Sequence, residues 1–194
     1  IARGLLQKAI ELDDNLISAK LLLGTTYTQM GDYDEAMEIY TPALKQAEEL
    51  GDKHGMGASL NNIGSVYHFK GDYDQTLEFY DRSLKIFEEL GDKHGMGWSL
   101  MRIGTFYSIK GDNDKSLDYY IRSLEIREEL GDKQGIGYSL NHIGNVYFYK
   151  DDVDKQLDYY TQALEISEEI NDDTRTLQSL FNISTIYDDR GDYD

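Results

Sequence analysis

Residues 51–57 read GDKHGMG; the same seven letters return at 91–97 and, as GDKQGIG, at 131–137. A phosphate-cradling loop needs a strand before it and a Gly-Lys-Ser/Thr step within it. Here a helical pattern precedes, and the lysine stands between Asp and His or Gln. A zinc site needs about four converging ligands. His54 and His94 have no second ligand nearby in sequence, and Gln134 replaces the third copy. The stretch therefore reads as punctuation between two helices, with Gly51 as a stop and Asp52 as the N-cap of the next helix. Gly55 and Gly57 each cost roughly 1 kcal/mol of helix propensity. The compensation expected for them is close approach to the preceding helix, where a side chain would clash.

The same spacing runs through the whole chain. Gly24, Gly64, Gly104 and Gly144 stand 40 residues apart, and Ser184 takes the place in the fifth copy. A tyrosine follows each at three residues: Tyr27, Tyr67, Tyr107, Tyr147 and Tyr187. GDYD at 31 and 71 becomes GDND at 111 and DDVD at 151, then returns at 191, and Tyr40, Tyr80, Tyr120 and Tyr160 close the units. Between these markers the apolar residues recur at three- and four-residue steps, as in Leu77, Tyr80, Leu84, Phe87 and Leu90, which is the helical period. Each unit is two helices joined by a tight turn. In that turn Gly71 supplies positive φ, and Asp74 is placed to cap the second helix. All nine tyrosines read as core, since aromatic side chains dominate cores. Pro42, the only proline, is expected to bend its helix.

The chain of 194 residues carries no cysteine and a net charge of −18. Such a surface repels nucleic acid and anionic lipid, whose binding rests on basic patches. No apolar run approaches the roughly 20 residues needed to span a bilayer, and the opening IARGLLQKAIELDD has no cleavage pattern. The absence of thiols fits a reducing compartment, and a cytoplasmic location is expected. No cofactor and no metal site are expected. No nucleophile–base pair or carboxylate constellation stands apart from the repeat, so a non-enzymatic role is expected.

The pattern resembles the tetratricopeptide repeat, whose W-x2-L-G-x2-Y…A-x3-F…P signature appears here as Leu60-x2-Ile63-Gly64-x2-Tyr67, then Thr76-x3-Tyr80, with Ala36-x3-Tyr40 in the first unit. Glu48, Glu88, Glu128 and Glu168 stand where the closing proline would be; without that stop the second helix runs on and the unit grows to 40 residues. This longer version is similar to the repeats of the LGN/Pins adaptors, which carry comparable NLGN and GDK segments. The resemblance implies an all-α, right-handed solenoid of antiparallel helix pairs, about ten helices in one array. Residues 1–15 would be the second helix of a preceding repeat. Full repeats would span 16–54, 55–94, 95–134 and 135–174, with a partial repeat at 175–194.

It also implies a concave groove lined by first-helix positions, and binding there of an extended peptide or protein segment. The residues concerned are Asn61, Asn62 and Ser65, then Trp98 and Arg102. Tyr138, Asn141, His142, Asn145 and Phe148 follow, then Phe181 and Asn182. Amides recur among them and can pair with a main chain, because asparagine both donates and accepts. Arg102 is the one firm cation of the set and is expected to act as an electrostatic anchor. Lys70, Lys110 and Lys150 fall at helix ends, away from a clamp for a chaperone-tail carboxylate. An alternative is a sensor or regulatory array of a larger signalling protein, such as a kinase, cyclase or transcription factor. The exposed apolar ends expected of an uncapped array imply that copies of such a fragment could stack head to tail.

Overall fold

The computed structural model describes residues 2–13 and 16–190, and all regular structure among them is helix, joined by short turns. Ten helices follow in order: α1 Ala2–Leu12, α2 Ile17–Met30, α3 Tyr33–Leu50, α4 Lys53–Lys70, α5 Tyr73–Leu90, α6 Lys93–Ile109, α7 Asn113–Leu130, α8 Lys133–Tyr149, α9 Val153–Glu169 and α10 Asp173–Arg190. From α4 onward the first helix of each repeat, α4, α6, α8 and α10, begins at 53, 93, 133 and 173, so the 40-residue period is the period of the backbone. The final GDYD, 191–194, lies outside the described residues. Among the described residues no helix is long and apolar enough to cross a membrane.

The turns are built as glycine stops. Gly71 has φ 78°, and the backbone N–H groups of Gly71 and Asp72 return to the carbonyls of His68 and Tyr67. Asp151 and Asn171 take the same left-handed place in the last turns, with φ 57° and 54°; these are the residue types that tolerate it best after glycine. The cap of α5 is Asp72, whose carboxylate accepts from the Gln75 N–H at 3.2 Å. Asp74 therefore lies two residues too late to cap and instead sits in the first turn, where its charge faces the positive end of the helix. Pro42 does not interrupt α3, which runs as one element from Tyr33 to Leu50.

The chain divides into two compact units, Ile1–Ser99 and Leu100–Asp194. In the first, Ala36 and Tyr40 of α3 bury against Ile63 and Val66 of α4, flanked by Leu21, Tyr67 and Phe79. In the second, Tyr120 of α7 buries with Ile143, Val146 and Tyr147 of α8, flanked by Leu117, Ile121 and Tyr159. The four closing tyrosines are all buried, each no more than 4% exposed. The Gly-x2-Tyr tyrosines divide. Tyr147 is buried, Tyr27, Tyr67 and Tyr107 are half-buried, and Tyr187 is exposed. Tyr67, Tyr107 and Tyr147 stack on Phe79, Tyr119 and Tyr159 of the following helix, with ring centroids 5.3, 5.5 and 5.4 Å apart.

The glycines of the opening stretch have distinct neighbours. A Cβ on Gly55 would meet the carboxylate of its own cap Asp52 at 2.4 Å, and one on Gly57 would meet the Phe87 ring at 2.7 Å. Phe87 belongs to the following helix, so for Gly57 the close approach comes from the other side than expected. Gly95 presses on the same ring from α6, at 2.2 Å to a built Cβ, and here the approach is to the preceding helix. Held between two glycines, the ring has nowhere to move. At the position equivalent to Gly57, a Cβ on Gly137 meets only Ile166, at an ordinary 3.5 Å. Gly57→Ala should therefore lower stability by ~1–3 kcal/mol through overpacking. Gly137→Ala should raise it by ~0.5–1 kcal/mol through helix propensity. Urea unfolding of the two variants reads this directly, and equal shifts of the same sign would refute it.

Candidate functional site

In the first unit the expected lining residues are largely spoken for. Asn61 is buried and donates through Nδ2 to Ser99 Oγ at 2.9 Å, 38 residues on. Ser65 is also buried; it donates to the Asn61 carbonyl at 2.8 Å and accepts from the Tyr80 hydroxyl at 3.3 Å. Asn62 is half-buried beside them, and Trp98 is exposed on the first turns of α6. Asn61, expected to meet a ligand, thus ties its repeat to the next, and Ser65 ties the two helices of its own repeat.

The second unit shows the same use of amides. Asn141 donates to the Gly137 carbonyl at 3.1 Å and lies 3.5 Å from Ser179 Oγ, again 38 residues on. Asn182 donates to Asn141 Oδ1 at 3.5 Å and accepts from Gln178 at 3.1 Å. The face of Tyr138 is covered by the Arg175 guanidinium, 3.3 Å from the ring centroid, an arrangement that ring electrostatics favour. Phe181 remains exposed on α10.

One place in this unit is open and concave. A cavity of about 300 Å³ lies among α6, α7 and α8. Thr105, Ser108 and Ile109 line it from α6, Tyr120 from α7, and His142, Asn145, Phe148 and Tyr149 from α8. His142, Asn145 and Phe148 of the expected site are thereby brought together. Arg102 is half-buried on α6 and takes no part in the lining. Tyr120, which the repeat pattern marks only as core, forms part of the wall. A sequence signal for it exists: the closing tyrosine hydroxyl bonds the residue after the repeat glycine, fifteen residues back. Tyr40 bonds Thr25 at 3.1 Å, Tyr120 bonds Thr105 at 3.0 Å, and Tyr160 bonds Asn145 at 2.5 Å.

The electrostatics of the cavity are neutral. Burial pushes the Tyr120 phenol up to about 12, so it stays protonated. The His142 ring stacks on Tyr120 at 5.0 Å and 15°, and burial lowers its pKa from the ordinary imidazole value. No carboxylate, lysine or arginine lines the space. Among the described residues no group of His, Asp and Glu is clustered to hold a metal; His54, for example, pairs with Asp92 at 2.9 Å.

Helix pairs recurring at a fixed 40-residue period define a helical-repeat protein. The chain belongs to the tetratricopeptide repeat family, whose model matches residues 15–89, 55–129, 95–169 and 135–194. No curated protein matches it. BtubC from P. vanneervenii is similar in structure, with a TM-score of 0.82 at 22% identity over 99% of this chain and 81% of that one. A signal transduction ATPase with numerous domains from Pyrococcus horikoshii, bearing a tetratricopeptide repeat sensor, gives 0.78 at 20% identity, over 95% and 30%. A Rap protein complexed with competence and sporulation factor gives 0.76 at 18% identity, over 91% and 50%. The chain thus spans less than a third of the ATPase and half of the Rap protein, and at these identities the likeness is one of fold.

Because the folded state holds His142 below its unfolded value, the unfolded chain takes up a proton first as pH falls past ~6.5. The unfolded state then binds more protons, so stability drops as pH drops. His142→Phe keeps the stack on Tyr120 and removes the titration. Between pH 7.5 and 5.5 the urea midpoint of the wild type should fall relative to that of the variant. Parallel pH profiles would show instead that the imidazole is solvated.

Proposed function

We propose that the chain is a non-enzymatic interaction scaffold that binds an extended peptide or protein segment along its first helices. The observation that carries this reading is the neutral, aromatic-walled cavity of the second unit, where Phe148 and Tyr149 are exposed beside polar groups of α6 and α8. Exposed aromatics around a concave polar floor are what a bound side chain can use. Membership of a repeat family and the fold likeness to a Rap protein solved with competence and sporulation factor are consistent with it. In period the repeats are similar to those of LGN/Pins adaptors, and an adaptor role of that kind is part of the proposal. The likeness to an ATPase with a repeat sensor favours a second reading, a sensor array within a larger signalling protein. The two share the site and differ in what is attached to it.

The test is photo-cross-linking from position 148 with a benzophenone amino acid, followed by mapping of the attached segment and competition with that segment as a synthetic peptide. A short linear stretch that competes supports the groove. Cross-links scattered over a folded partner surface, or none, would count against it. With the mapped peptide, Phe148→Ala should weaken binding by on the order of 2 kcal/mol. Arg102→Ala should cost less, because Arg102 stands outside the cavity. Calorimetry giving the reverse order would move the anchor away from the cavity.

A further inference from the structure

Asn145 differs from its counterparts in a way that selects a ligand. In three repeats the residue after the glycine is a hydroxyl, and both of its functions are used. Thr25, Ser65 and Thr105 each donate to the carbonyl four residues back, at 2.9, 2.8 and 3.0 Å. Each also accepts from the closing tyrosine, at 3.1, 3.3 and 3.0 Å. A hydroxyl so placed has no proton left for a ligand. Asn145 has a carboxamide instead. Its Oδ1 accepts from the Tyr160 hydroxyl at 2.5 Å.

Tyr160 is the donor in that bond, so the Asn145 oxygen is committed to the tyrosine, and the two Nδ2 hydrogens of this cavity-lining residue are left over. Among the described residues no acceptor takes them.

We propose that this cavity receives a neutral carboxamide side chain, glutamine or asparagine, from the segment bound along the first helices, its carbonyl oxygen on Asn145 Nδ2. The proposal rests on the groove reading above. The complement is chemical. A carboxylate would be desolvated with no cation in the lining, and an ammonium would be desolvated with no carboxylate; both are costly. A carboxamide brings no charge, and its own N–H groups can be taken by Ser108 Oγ or by the acceptor nitrogen of neutral His142, both in the lining. Its methylene carbons lie against Ile109, Phe148 and Tyr149. Burial that keeps His142 uncharged preserves that acceptor.

The test uses three small probes: the N-acetyl methylamides of glutamine, glutamate and lysine. Each is titrated into the full chain while the side-chain amide signals of Asn145 are followed by NMR. The glutamine probe should give saturable shifts at Asn145 and at Ser108, and the other two should not. Asn145→Thr restores the residue found at 25 and 105, keeps a partner for Tyr160 and deletes the free donors. It should fold normally and weaken the glutamine probe at least fivefold. Glutamate binding as well as glutamine, an unchanged response in Asn145→Thr, or no saturable shift with any probe would each overturn the inference. None of these outcomes touches the groove reading, which stands or falls on the cross-linked segment.

Discussion

The fold depends on one contact repeated four times, a tyrosine ring laid flat against a glycine sixteen residues earlier. A Cβ on Gly24, Gly64, Gly104 or Gly144 would lie 2.4–2.8 Å from the ring of Tyr40, Tyr80, Tyr120 or Tyr160. The missing side chain is what lets the two helices of a pair approach so closely. Burying the ring also buries its hydroxyl, which must then find a partner or lose the free energy of its lost water. The partner is the residue beside the glycine, so the contact is fixed at both ends. The other side of the ring is covered by the next first helix, Ile63 and Val66 over Tyr40, and Ile143 and Val146 over Tyr120. One side chain thereby joins three helices.

A second position decides how consecutive repeats meet, and there the chain varies. Ala47, Phe87, Arg127 and Ser167 occupy equivalent places near the ends of the second helices, all of them buried. Phe87 fills its space with carbon and needs glycine at 57 and 95. Arg127 fills its own with a guanidinium, bonded to Asp132 at 2.7 Å and through Nε to Ser123 at 3.3 Å. Desolvation lowers the pKa of that guanidinium, while the Asp132 carboxylate raises it. A buried charge persists because its partner is the cap carboxylate of the very next helix. A Cβ at Gly135 would stand 1.8 Å from Arg127 Nη1, so the same glycine in the same motif answers to a different neighbour.

The helix pairs, their period and their stops were legible because they are local: spacing of three and four, glycine after it, aspartate next. The cap was misplaced by two residues because Asp72 and Asp74 are both aspartates beside the turn, and only the path of the glycine stop selects the first. The site was legible in part. The groove positions follow from the repeat, and three of the residues they name meet in the cavity. What spacing within one repeat could not show is that Asn61 and Asn141 reach a serine 38 residues on. An amide that can serve a ligand can equally serve the adjoining repeat. Tyr120 was legible as core and is core; that it also walls the cavity follows from Thr105 and His142, which touch it from two different helices.

Charge is organised by the same repeat. Lys70 pairs with Asp34 at 2.7 Å and Lys53 with Glu89 at 3.4 Å in the first unit. Lys150 pairs with Asp114 at 2.5 Å, and Lys133 with Glu169, in the second. Each pair spans 36 residues and so ties one repeat to the next, although exposed pairs of this kind contribute only ~0–1 kcal/mol each. Other cations lie over rings, Arg82 on Phe79, Lys115 on Tyr107 and Lys155 on Tyr147. With basic groups drawn into these contacts, the excess of carboxylates is left to set the outer field of a chain with net charge −18. That field acts at a distance and favours cationic partners in approach. The cavity acts only at contact and carries no charge of its own. Under the proposed groove reading, recruitment would fall to the exposed carboxylates and recognition to the neutral polar groups between Tyr120 and Phe148.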